Sequence, residues 1–357
     1  MSAGREERQL TQTLSPSLIN LKGLDLGELQ ALVSQMEEAP YRAGQIMRWI
    51  YQRDVEHFDE MTDLSKELRH RLSLCCRIER IQVEAEERSA DGTRKFLFRL
   101  HDGAMIEAVW IPDGARRTAC VSSQAGCGIG CPFCATALGG LARNLTAGEI
   151  VDQVLALSRL TGERITHVVF MGMGEPFANY QQVIKAARLL TDPLGYGLGA
   201  RHITISTSGI VPAIRRFAQE KRQFVLAVSL HAATDDVRDF LVPLNRKYPV
   251  AELLAACREY TASTRRRVTF EYVMIRDVND GLDQALTLSR LLKGMLCHVN
   301  LIPLNPVPES GLDRSRPETI HRFAHVLREA GIAVTVRRER GSDIQAACGQ
   351  LRRSRAR

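Results

Sequence analysis

The chain has 357 residues, of which 45% are hydrophobic and 25% charged, a balance that favours a soluble globule with room for a barrel and a smaller domain. No stretch approaches the roughly 18–20 apolar residues of a membrane-spanning helix, and the polar N-terminus has no signal-peptide core. We therefore expect a cytoplasmic protein, in which nine cysteines are not a disulfide framework because that compartment keeps thiols reduced. The net charge of +7 is too small to identify a partner.

The first predicted region is helical. Residues 1–26 are expected to form a poorly ordered leader. Apolar residues then recur at helical spacing in LGELQALVSQM, YRAGQIMRWIYQR and DLSKELRHRLS, and Asp63 is the expected N-cap of the third helix. Together these segments predict a small N-terminal helical accessory domain over residues 1–77.

A change to a period of two residues marks the next region, residues 78–117. The runs RKFLFRL and AMIEAVWIP flank the turn His101-Asp102-Gly103, a pattern typical of a β-hairpin. We expect this hairpin to extend from the accessory domain to the rest of the chain.

From Cys120 onward, strand-like and helix-like runs alternate. The predicted strands are HVVFMG, HITIST, FVLAVSL, RVTFEYVMI, HVNLIPL and IAVTVRR, and Thr146 with Glu149 forms a capping box for the first helix between them. Such alternation predicts an α/β fold with a parallel sheet, here an incomplete (β/α)6 barrel over residues 118–357. In folds of this kind, chemistry occurs at the C-terminal ends of the strands.

The run CGIGCPFC places Cys127, Cys131 and Cys134 within eight residues. Three thiolates can hold three irons of a [4Fe–4S] cube and leave the fourth iron open, whereas electron-transfer clusters are closed by four cysteines. A zinc site is the alternative, but zinc usually takes four ligands, often as paired CxxC motifs, and no second such pair occurs here. Buried structural thiols are the other alternative, and they would not need the flexible Gly128 and Gly130. The Cys-x3-Cys-x2-Cys order resembles the radical SAM superfamily, whose clusters bind S-adenosylmethionine (SAM).

Polar residues follow several predicted strands, where a barrel would place its active site. Each motif alone is explained by loop capping, but their common position predicts one binding site. The candidate residues are Gly174 and Glu175 in MGMGEP, Ser206 in STSG, Ser229, Leu230 and His231 in SLHA, and Asn305.

Arginines cluster at several places, and such patches suit a polyanion such as RNA. The alternative is ordinary solvated surface charge. The second predicted helix also combines arginines with aromatic residues, which suits RNA contact, although packing explains the aromatic residues equally well. The arginine clusters are Arg265 to Arg267, then Arg337, Arg338 and Arg340, the tail LRRSRAR, and Arg42, Arg48 and Arg53 beside Tyr41, Trp49 and Tyr51.

Six longer motifs together resemble one family, the radical SAM RNA adenine C2-methyltransferases of the RlmN type. The resemblance extends from about Glu107 to Leu351, and the helical N-terminal domain matches the accessory domain of that family. The motifs that carry it are CVSSQAGC, RNLTAGEI, MGMGEP, STSG, SLHA and GSDIQAACGQL.

The resemblance implies a role for each candidate residue. Cys348 would carry a methyl group as S-methylcysteine, Cys120 would resolve the intermediate through a transient disulfide with Cys348, and Glu107 would accept a proton. The implied cluster ligands are Cys127, Cys131 and Cys134, and the implied SAM contacts are Gly174, Glu175, Ser206, Ser229, Leu230, His231 and Asn305.

The resemblance also implies cofactors, substrates and partners. The cofactors are a [4Fe–4S] cluster and two SAM molecules per turnover: one donates the methyl group and the other is cleaved to a radical. The substrates are adenine 2503 in the peptidyl-transferase centre of 23S rRNA and adenine 37 of tRNA, and the electron donor is a low-potential flavodoxin or ferredoxin. The protein is expected to be a monomer with no membrane partner.

Three alternatives stay open from the sequence. The related Cfr type methylates C8 of the same rRNA adenine and shares the cluster and both catalytic cysteines. A cluster-bearing redox or RNA-binding protein would not cleave SAM at all. A radical SAM activase acting on a protein would not need Cys120 and Cys348 as a pair.

Overall fold

The computed structural model describes residues 18–352. The leader predicted over residues 1–17 and the basic tail beyond Arg352 lie outside the described residues. For residues 18–26 the prediction of a poorly ordered leader is wrong, because Leu21 is fully buried. Strand β1 (Ile19–Asn20) pairs in parallel with β2 (Cys76–Arg77), so the chain entering the helical region is fixed to the segment that leaves it.

The three predicted N-terminal helices are present as α1 (Leu26–Gln35), α2 (Tyr41–Tyr51) and α3 (Lys66–Cys75). The predicted N-cap of α3 is wrong. Ser65 caps this helix by accepting a hydrogen bond from the Leu68 amide at 3.1 Å, whereas Asp63 accepts one from the indole Nε1 of Trp49 at 2.5 Å. Both side chains are good caps, and the tertiary contact with Trp49 decides between them.

The predicted hairpin is part of a larger antiparallel meander. Residues Arg94 to Arg99 pair with residues Met105 to Trp110 across the predicted turn, and strands on either side extend the pairing. The meander consists of β3 (Gln82–Arg88), β4 (Arg94–Arg99), β5 (Met105–Asp113) and β6 (Arg116–Cys120). A separate two-stranded sheet follows, formed by β7 (Gln124–Gly126) and β8 (Leu141–Asn144).

The six strands predicted after Cys120 are present and parallel. Strand β6 is antiparallel to β5 and parallel to β9, so it joins the meander to the parallel set in one 10-stranded sheet ordered β14-β13-β12-β11-β10-β9-β6-β5-β4-β3. The first and last strands in this order do not pair, which makes the barrel incomplete, as predicted. The six strands are β9 (His167–Phe170), β10 (Ile203–Thr207), β11 (Val225–Ser229), β12 (Val268–Met274), β13 (Cys297–Pro303) and β14 (Ala333–Val336).

Helices connect these strands. The predicted capping box of α5 (Ala147–Thr161) is present, because Thr146 Oγ1 accepts from the Glu149 amide and the Glu149 carboxylate accepts from the Thr146 amide. Two short helices, α4 and α8, were not predicted. The helices are α4 (Ala135–Leu138), α5 (Ala147–Thr161), α6 (Tyr180–Thr191), α7 (Val211–Ala218), α8 (Asp235–Leu241), α9 (Val250–Thr264), α10 (Leu282–Leu292) and α11 (Pro317–Glu329).

The N-terminal region packs closely on α5 of the barrel. Lys22 Nζ lies 2.6 Å from Asp152 Oδ1, and both side chains are buried. Gly23 has a φ of +100°, and a Cβ there would lie 2.6 Å from the amide nitrogen of Gly148. Only glycine permits so close an approach of two backbones.

The domain boundaries predicted from the sequence, 1–77, 78–117 and 118–357, stay predictions. Within residues 18–352, no helix is both long and apolar enough to cross a membrane.

Candidate active site

The cysteine loop lies at the C-terminal end of the parallel strands. Cys127 directly follows β7 and Cys134 directly precedes α4. The Cys127 amide donates to the Gly140 carbonyl at 3.0 Å, and the Cys134 amide donates to the Cys131 carbonyl at 3.2 Å. Gly130 has a φ of +82°, so the loop turns back through a conformation that favours glycine.

The three cysteines of this loop line one cavity of about 180 Å³, called here the cluster cavity. Burial raises the pKa of the Cys127 thiol to about 11 and that of Cys131 well above its usual value, and neighbouring thiols add to both shifts. Thiols that raise one another's pKa need cationic metal to become thiolates together. No group of three or more His, Cys, Asp or Glu within residues 18–352 is placed to hold a single metal ion. The donor set therefore fits a [4Fe–4S] cluster.

The turn after β9 forms another wall of the cluster cavity. Gly174 has a φ of +100°, and a Cβ there would lie 2.6 Å from Gln124 Cβ. The buried Glu175 carboxylate accepts from the Phe177 amide at 2.9 Å and from the amide and hydroxyl of Ser208 at 2.7 Å each. Glu175 lines the cavity, and its carboxylate joins the turn after β9 to the turn after β10.

Of the three residues predicted as SAM contacts in the SLHA motif at the end of β11, two line the cluster cavity and one does not. Ser229 and His231 line the cluster cavity, as does Ser206 from β10. Leu230 does not line the cavity; its side chain is fully buried in the core, and its amide donates to the Glu271 carbonyl at 3.0 Å.

His231 is held in one orientation. Its Nδ1 accepts from the Val273 amide at 3.1 Å, and its ring meets Phe133 edge-on with centroids 5.1 Å apart. Burial, together with the cation of Arg238, lowers the pKa of His231 to about 3. The imidazole is therefore neutral, and because Nδ1 accepts, the proton is assigned to Nε2.

Cys348 lies on a C-terminal loop that docks on the cysteine loop. The Ala135 amide donates to the Gly349 carbonyl at 2.7 Å, and the Thr136 hydroxyl donates to the Leu351 carbonyl at 2.6 Å. Asn305 Nδ2 donates to the Cys348 carbonyl at 3.1 Å, while Asn305 Oδ1 is buried without a hydrogen-bond partner. Cys348 and Asn305 both line the cluster cavity.

A larger cavity of about 630 Å³, called here the lumen, continues inside the barrel. Cys120, at the end of β6, lines the lumen together with Cys348. Burial, reinforced by Cys348, raises the pKa of Cys120 to about 12, and both thiols are free. Among the cysteines of residues 18–352, only Cys348 lines both cavities.

Glu107 lies apart from the two cavities. It is buried on β5, two residues from Val109, which pairs with Cys120. Its carboxylate lies 3.5 Å from Lys95 Nζ and accepts from the Arg352 amide at 2.7 Å. Burial raises the pKa of Glu107 to about 7, although Lys95 opposes the shift. Glu107 lines a third cavity of about 400 Å³ that Cys348 does not reach.

Three charged residues at the site were not predicted as site residues. Glu271 lines both cavities; its Oε1 accepts from Asn300 at 2.9 Å, and its Oε2 has no hydrogen-bond partner. Arg337 Nη1 lies 3.6 Å from Glu271 Oε2, and this cation counteracts the rise that desolvation causes in the pKa of Cys348. Arg238 is fully buried behind the cluster cavity. Glu271 could have been identified as a site residue, because a carboxylate within the apolar strand run TFEYVMI is unusual. No sequence pattern identifies Arg238 as a site residue.

The residues predicted to contact RNA differ in exposure. Tyr41 on α2 is 62% exposed, and the Arg42 guanidinium lies 4.9 Å from its ring centroid. Arg53 lies 5.7 Å from the Trp49 ring centroid. Tyr51 is buried and accepts from the Gly23 amide at 2.8 Å, so its contribution to an RNA surface is excluded.

Comparison with known proteins gives matches along most of the chain. The family model of the ribosomal RNA large subunit methyltransferase N-terminal domain matches residues 19–78, and that of the radical SAM superfamily matches residues 121–288. A probable dual-specificity RNA methyltransferase RlmN from Pelotomaculum thermopropionicum is 52% identical over 94% of this chain and 92% of its own length. The corresponding protein from Moorella thermoacetica is 51% identical over 94% of this chain and 97% of its own length.

A solved structure shows the same fold. The crystal structure of a radical SAM methyltransferase from Sphaerobacter thermophilus superposes with a TM-score of 0.90 at 50% identity. The match covers 94% of this chain and 100% of that one.

Proposed function

The chain belongs to the RlmN family of radical SAM RNA methyltransferases, which use a [4Fe–4S] cluster and SAM, and from this premise we propose that it methylates C2 of adenine in both 23S rRNA and tRNA. The observation that carries the proposal is the position of Cys348, which lines both the cluster cavity and the lumen that contains Cys120. A methyl carrier must meet SAM on one side and a resolving thiol on the other.

Cys127, Cys131 and Cys134 are the proposed cluster ligands, and Gly174, Glu175, Ser206, Ser229, His231 and Asn305 the proposed SAM contacts. Leu230 is proposed only as a main-chain contact, because its side chain is buried away from the cavity. Bound there, the cluster and SAM supply a carbon-centred radical, which is required because the electron-poor C2 of adenine does not attack a methyl sulfonium. The neutral His231 and the fixed Glu175 keep the walls of this cavity in place.

Cys348 carries the methyl group in this proposal. Its sulfur forms a bond to the methyl carbon of SAM as the bond from that carbon to the sulfonium breaks. The thiol must first lose its proton, since the thiolate is the nucleophile. Cys348 is exposed to solvent within the site, yet desolvation by the surrounding protein raises its pKa, and the Arg337 guanidinium opposes that shift.

Cys120 and Glu107 complete the proposal. Once the carbon of the carrier is joined to adenine, the Cys120 thiolate attacks the sulfur of Cys348. The bond between that sulfur and the carbon breaks as the disulfide forms, and the carbon takes up a proton to become the methyl group of the released base. An external reductant then restores both thiols. Glu107, whose pKa is raised to about 7, is the proposed acceptor of the C2 proton, and reaching the base requires the C-terminal loop to move from its present contact between Arg352 and Glu107.

The proposal extends to partners and place of action. The exposed Tyr41 and the arginines of α2 are proposed to contact RNA, because aromatic faces and guanidinium groups bind bases and phosphates. We further propose a cytoplasmic monomer that receives electrons from a low-potential flavodoxin or ferredoxin. Thiols that must cycle through a disulfide need a reducing compartment.

The experiment that tests this function follows the methyl group of isotopically labelled SAM into RNA. The reconstituted protein is incubated anaerobically with 23S rRNA fragments or tRNA, and nucleosides are separated by mass spectrometry. We expect 2-methyladenosine from both RNAs with wild-type protein and none with Cys348→Ala. Methylation at C8, or labelled RNA from Cys348→Ala, would overturn the proposal.

A further inference from the structure

Arg238, in the middle of α8, is a buried cation directly behind the wall of the cluster cavity. Its guanidinium donates to the main-chain oxygens of Ser208 at 2.6 Å, Ser229 at 3.2 Å and Leu230 at 3.0 Å. Ser208 and Ser229 both line the cluster cavity. The side chain therefore joins the ends of β10 and β11, two of the places that supply proposed SAM contacts.

Within residues 18–352, no Asp or Glu oxygen lies within 4.0 Å of the Arg238 guanidinium, although Asp235 and Asp239 favour its charge from a greater distance. Its remaining hydrogen bond goes to Asn245 Oδ1 at 3.1 Å. Asn245 Nδ2 donates to Asp235 at 3.0 Å and to Asp239 at 2.7 Å, so an amide separates the guanidinium from these acids. A buried charge is costly without a counter-ion in direct contact, and on the side of the cavity wall this cation meets only main-chain oxygens.

Cys131 lies on that side. It lines the cluster cavity and packs against the apolar cluster that includes Leu241 of α8, the helix that carries Arg238. The cation thus lies within electrostatic reach of a proposed cluster ligand and inside a medium of low dielectric constant, where such interactions are strong.

We propose that Arg238 is a positioning residue for the cluster, whose fixed buried charge makes the [4Fe–4S] centre easier to reduce. The proposal rests on the assignment of Cys127, Cys131 and Cys134 as its ligands. Reduction adds one electron, taken from the low-potential donor, to a group that already carries three thiolates. A nearby cation stabilises the more negative reduced state more than the oxidised state, and net charge is one of the properties that set the potentials of iron–sulfur clusters.

The test is a redox titration of the reconstituted protein, monitored by the EPR signal of the reduced cluster. Arg238→Gln removes the charge but keeps two donors for the main-chain oxygens, whereas Arg238→Lys keeps the charge and loses the planar fork. At a fixed potential we expect a reduced-to-oxidised ratio about tenfold lower in Arg238→Gln, which is about 59 mV for a one-electron couple. Arg238→Lys should keep the wild-type potential but bind SAM more weakly.

Arg246→Gln is the matched control, because Arg246 is an exposed arginine in the segment after α8 whose charge is screened by solvent. Its potential should equal that of wild type. Asn245→Asp is a second, independent variant: a carboxylate beside the guanidinium must lower the potential in the same direction as Arg238→Gln. If Arg238→Gln does not fold, the potential of Asn245→Asp tests whether the charge of Arg238 affects reduction of the cluster.

A wild-type potential in folded, iron-replete Arg238→Gln, or in Asn245→Asp, would overturn the inference. An equal shift in Arg246→Gln would overturn it too. A separate measurement tests the assignment of the cluster ligands. If Cys131 is not a ligand, Cys131→Ala keeps the iron content of wild type. Iron loss in Cys131→Ala with an unchanged potential in Arg238→Gln would refute the role of Arg238 alone.

Discussion

The cluster cavity and the lumen meet at Cys348, yet they are built differently. Around the cluster cavity, side chains such as Glu175 and Arg238 join neighbouring strand-end turns through several hydrogen bonds. Where this cavity meets the lumen, groups lack full partners: Glu271 and Arg337 line both cavities, Glu271 Oε2 has no hydrogen bond, and Arg337 lies 3.6 Å from it. The turns of the cluster cavity are pre-organised to hold a cofactor, and the junction with the lumen keeps charge available for a reacting thiol.

The loop that carries Cys348 reflects this difference. Its main chain is attached to the cluster side through Ala135, Thr136 and Asn305. Its far end is attached to the meander through the Arg352 amide and the Glu107 carboxylate. Arg352 also forms two hydrogen bonds with Glu309 at 2.8 Å each, and Leu351 is buried, so release of the loop must break several contacts together.

The largest effect should follow removal of the thiol that belongs to both cavities. Cys348→Ala should lower RNA methylation by more than about a thousandfold, as expected when a covalent nucleophile is lost. The cluster cavity should be unaffected, so the iron content should equal that of wild type in an anaerobic iron assay. Cys75→Ala is the control, since Cys75 lies in the last turn of α3, and it should keep full activity. Iron loss in Cys348→Ala would mean that Cys348 is a cluster ligand.

A somewhat smaller effect should follow removal of the thiol on the lumen side alone. Cys120→Ala should still transfer carbon to RNA but fail to release it, which lowers multiple turnover by roughly a hundredfold or more. A covalent RNA–protein species should accumulate and be visible on a denaturing gel. If multiple turnover continued at the wild-type rate with no such species, Cys120 would not be the resolving thiol.

The raised pKa of Glu107 should make the stability of the folded protein depend on pH. The folded protein keeps the Glu107 proton up to about pH 7, whereas an unshifted carboxyl releases it near 4.5. The folded state therefore binds more protons within this window, and the stability they contribute is lost as the pH rises from about 4.5 to about 7. This loss is on the order of 3 kcal/mol.

Urea unfolding at pH 5 and pH 8 measures the effect, with Glu107→Gln as the comparison. The variant should lose less stability than wild type between the two values, because its amide does not titrate. Parallel behaviour of the two proteins would contradict a raised pKa at Glu107.

The smallest effect concerns the wall of the cluster cavity. Gly174→Ala would place a Cβ 2.6 Å from Gln124 Cβ in a backbone with a φ of +100°. The turn must shift, and we expect SAM to bind about tenfold more weakly, which is about 1.4 kcal/mol. Equilibrium dialysis with the reconstituted protein gives the dissociation constant.

Gly294→Ala is the matched control. Gly294 also has a positive φ, +74°, but no atom lies within 4 Å of its added Cβ. It should carry the backbone cost of a left-handed residue, about 1 kcal/mol of stability, without any change in SAM affinity. Equal SAM affinities in the two variants would show that the close approach at Gly174 is not needed for binding.

The sequence predicted the strands and their terminal motifs because each depends on local pattern. Apolar runs followed by glycine or serine identified the strand ends at Gly174, Ser206 and Ser229, and all three line the cluster cavity. The capping box at Thr146 and the hairpin at Asp102 are also local signals. Leu230 was predicted as a SAM contact because it belongs to the SLHA motif, but its side chain lies in the hydrophobic core. Membership in a motif therefore does not show which of its side chains face the cavity.

What the sequence could not predict depends on contacts between distant segments. Asp63 was a plausible cap, but its contact with Trp49 leaves Ser65 as the cap of α3. The short helix α8 has too few residues for a periodic pattern, so nothing marked Arg238 on it. The distance of Glu107 from Cys348 likewise depends on how the C-terminal loop docks.

The most direct test of Cys348 as the methyl carrier is a peptide map after one round of exposure to SAM without RNA. We predict that mass spectrometry finds one methyl group on the peptide that contains Cys348, and that none is found on peptides with Cys120 or the three cysteines of the cluster loop. A methyl group on another cysteine, or full RNA methylation without any methylated Cys348, would contradict this claim.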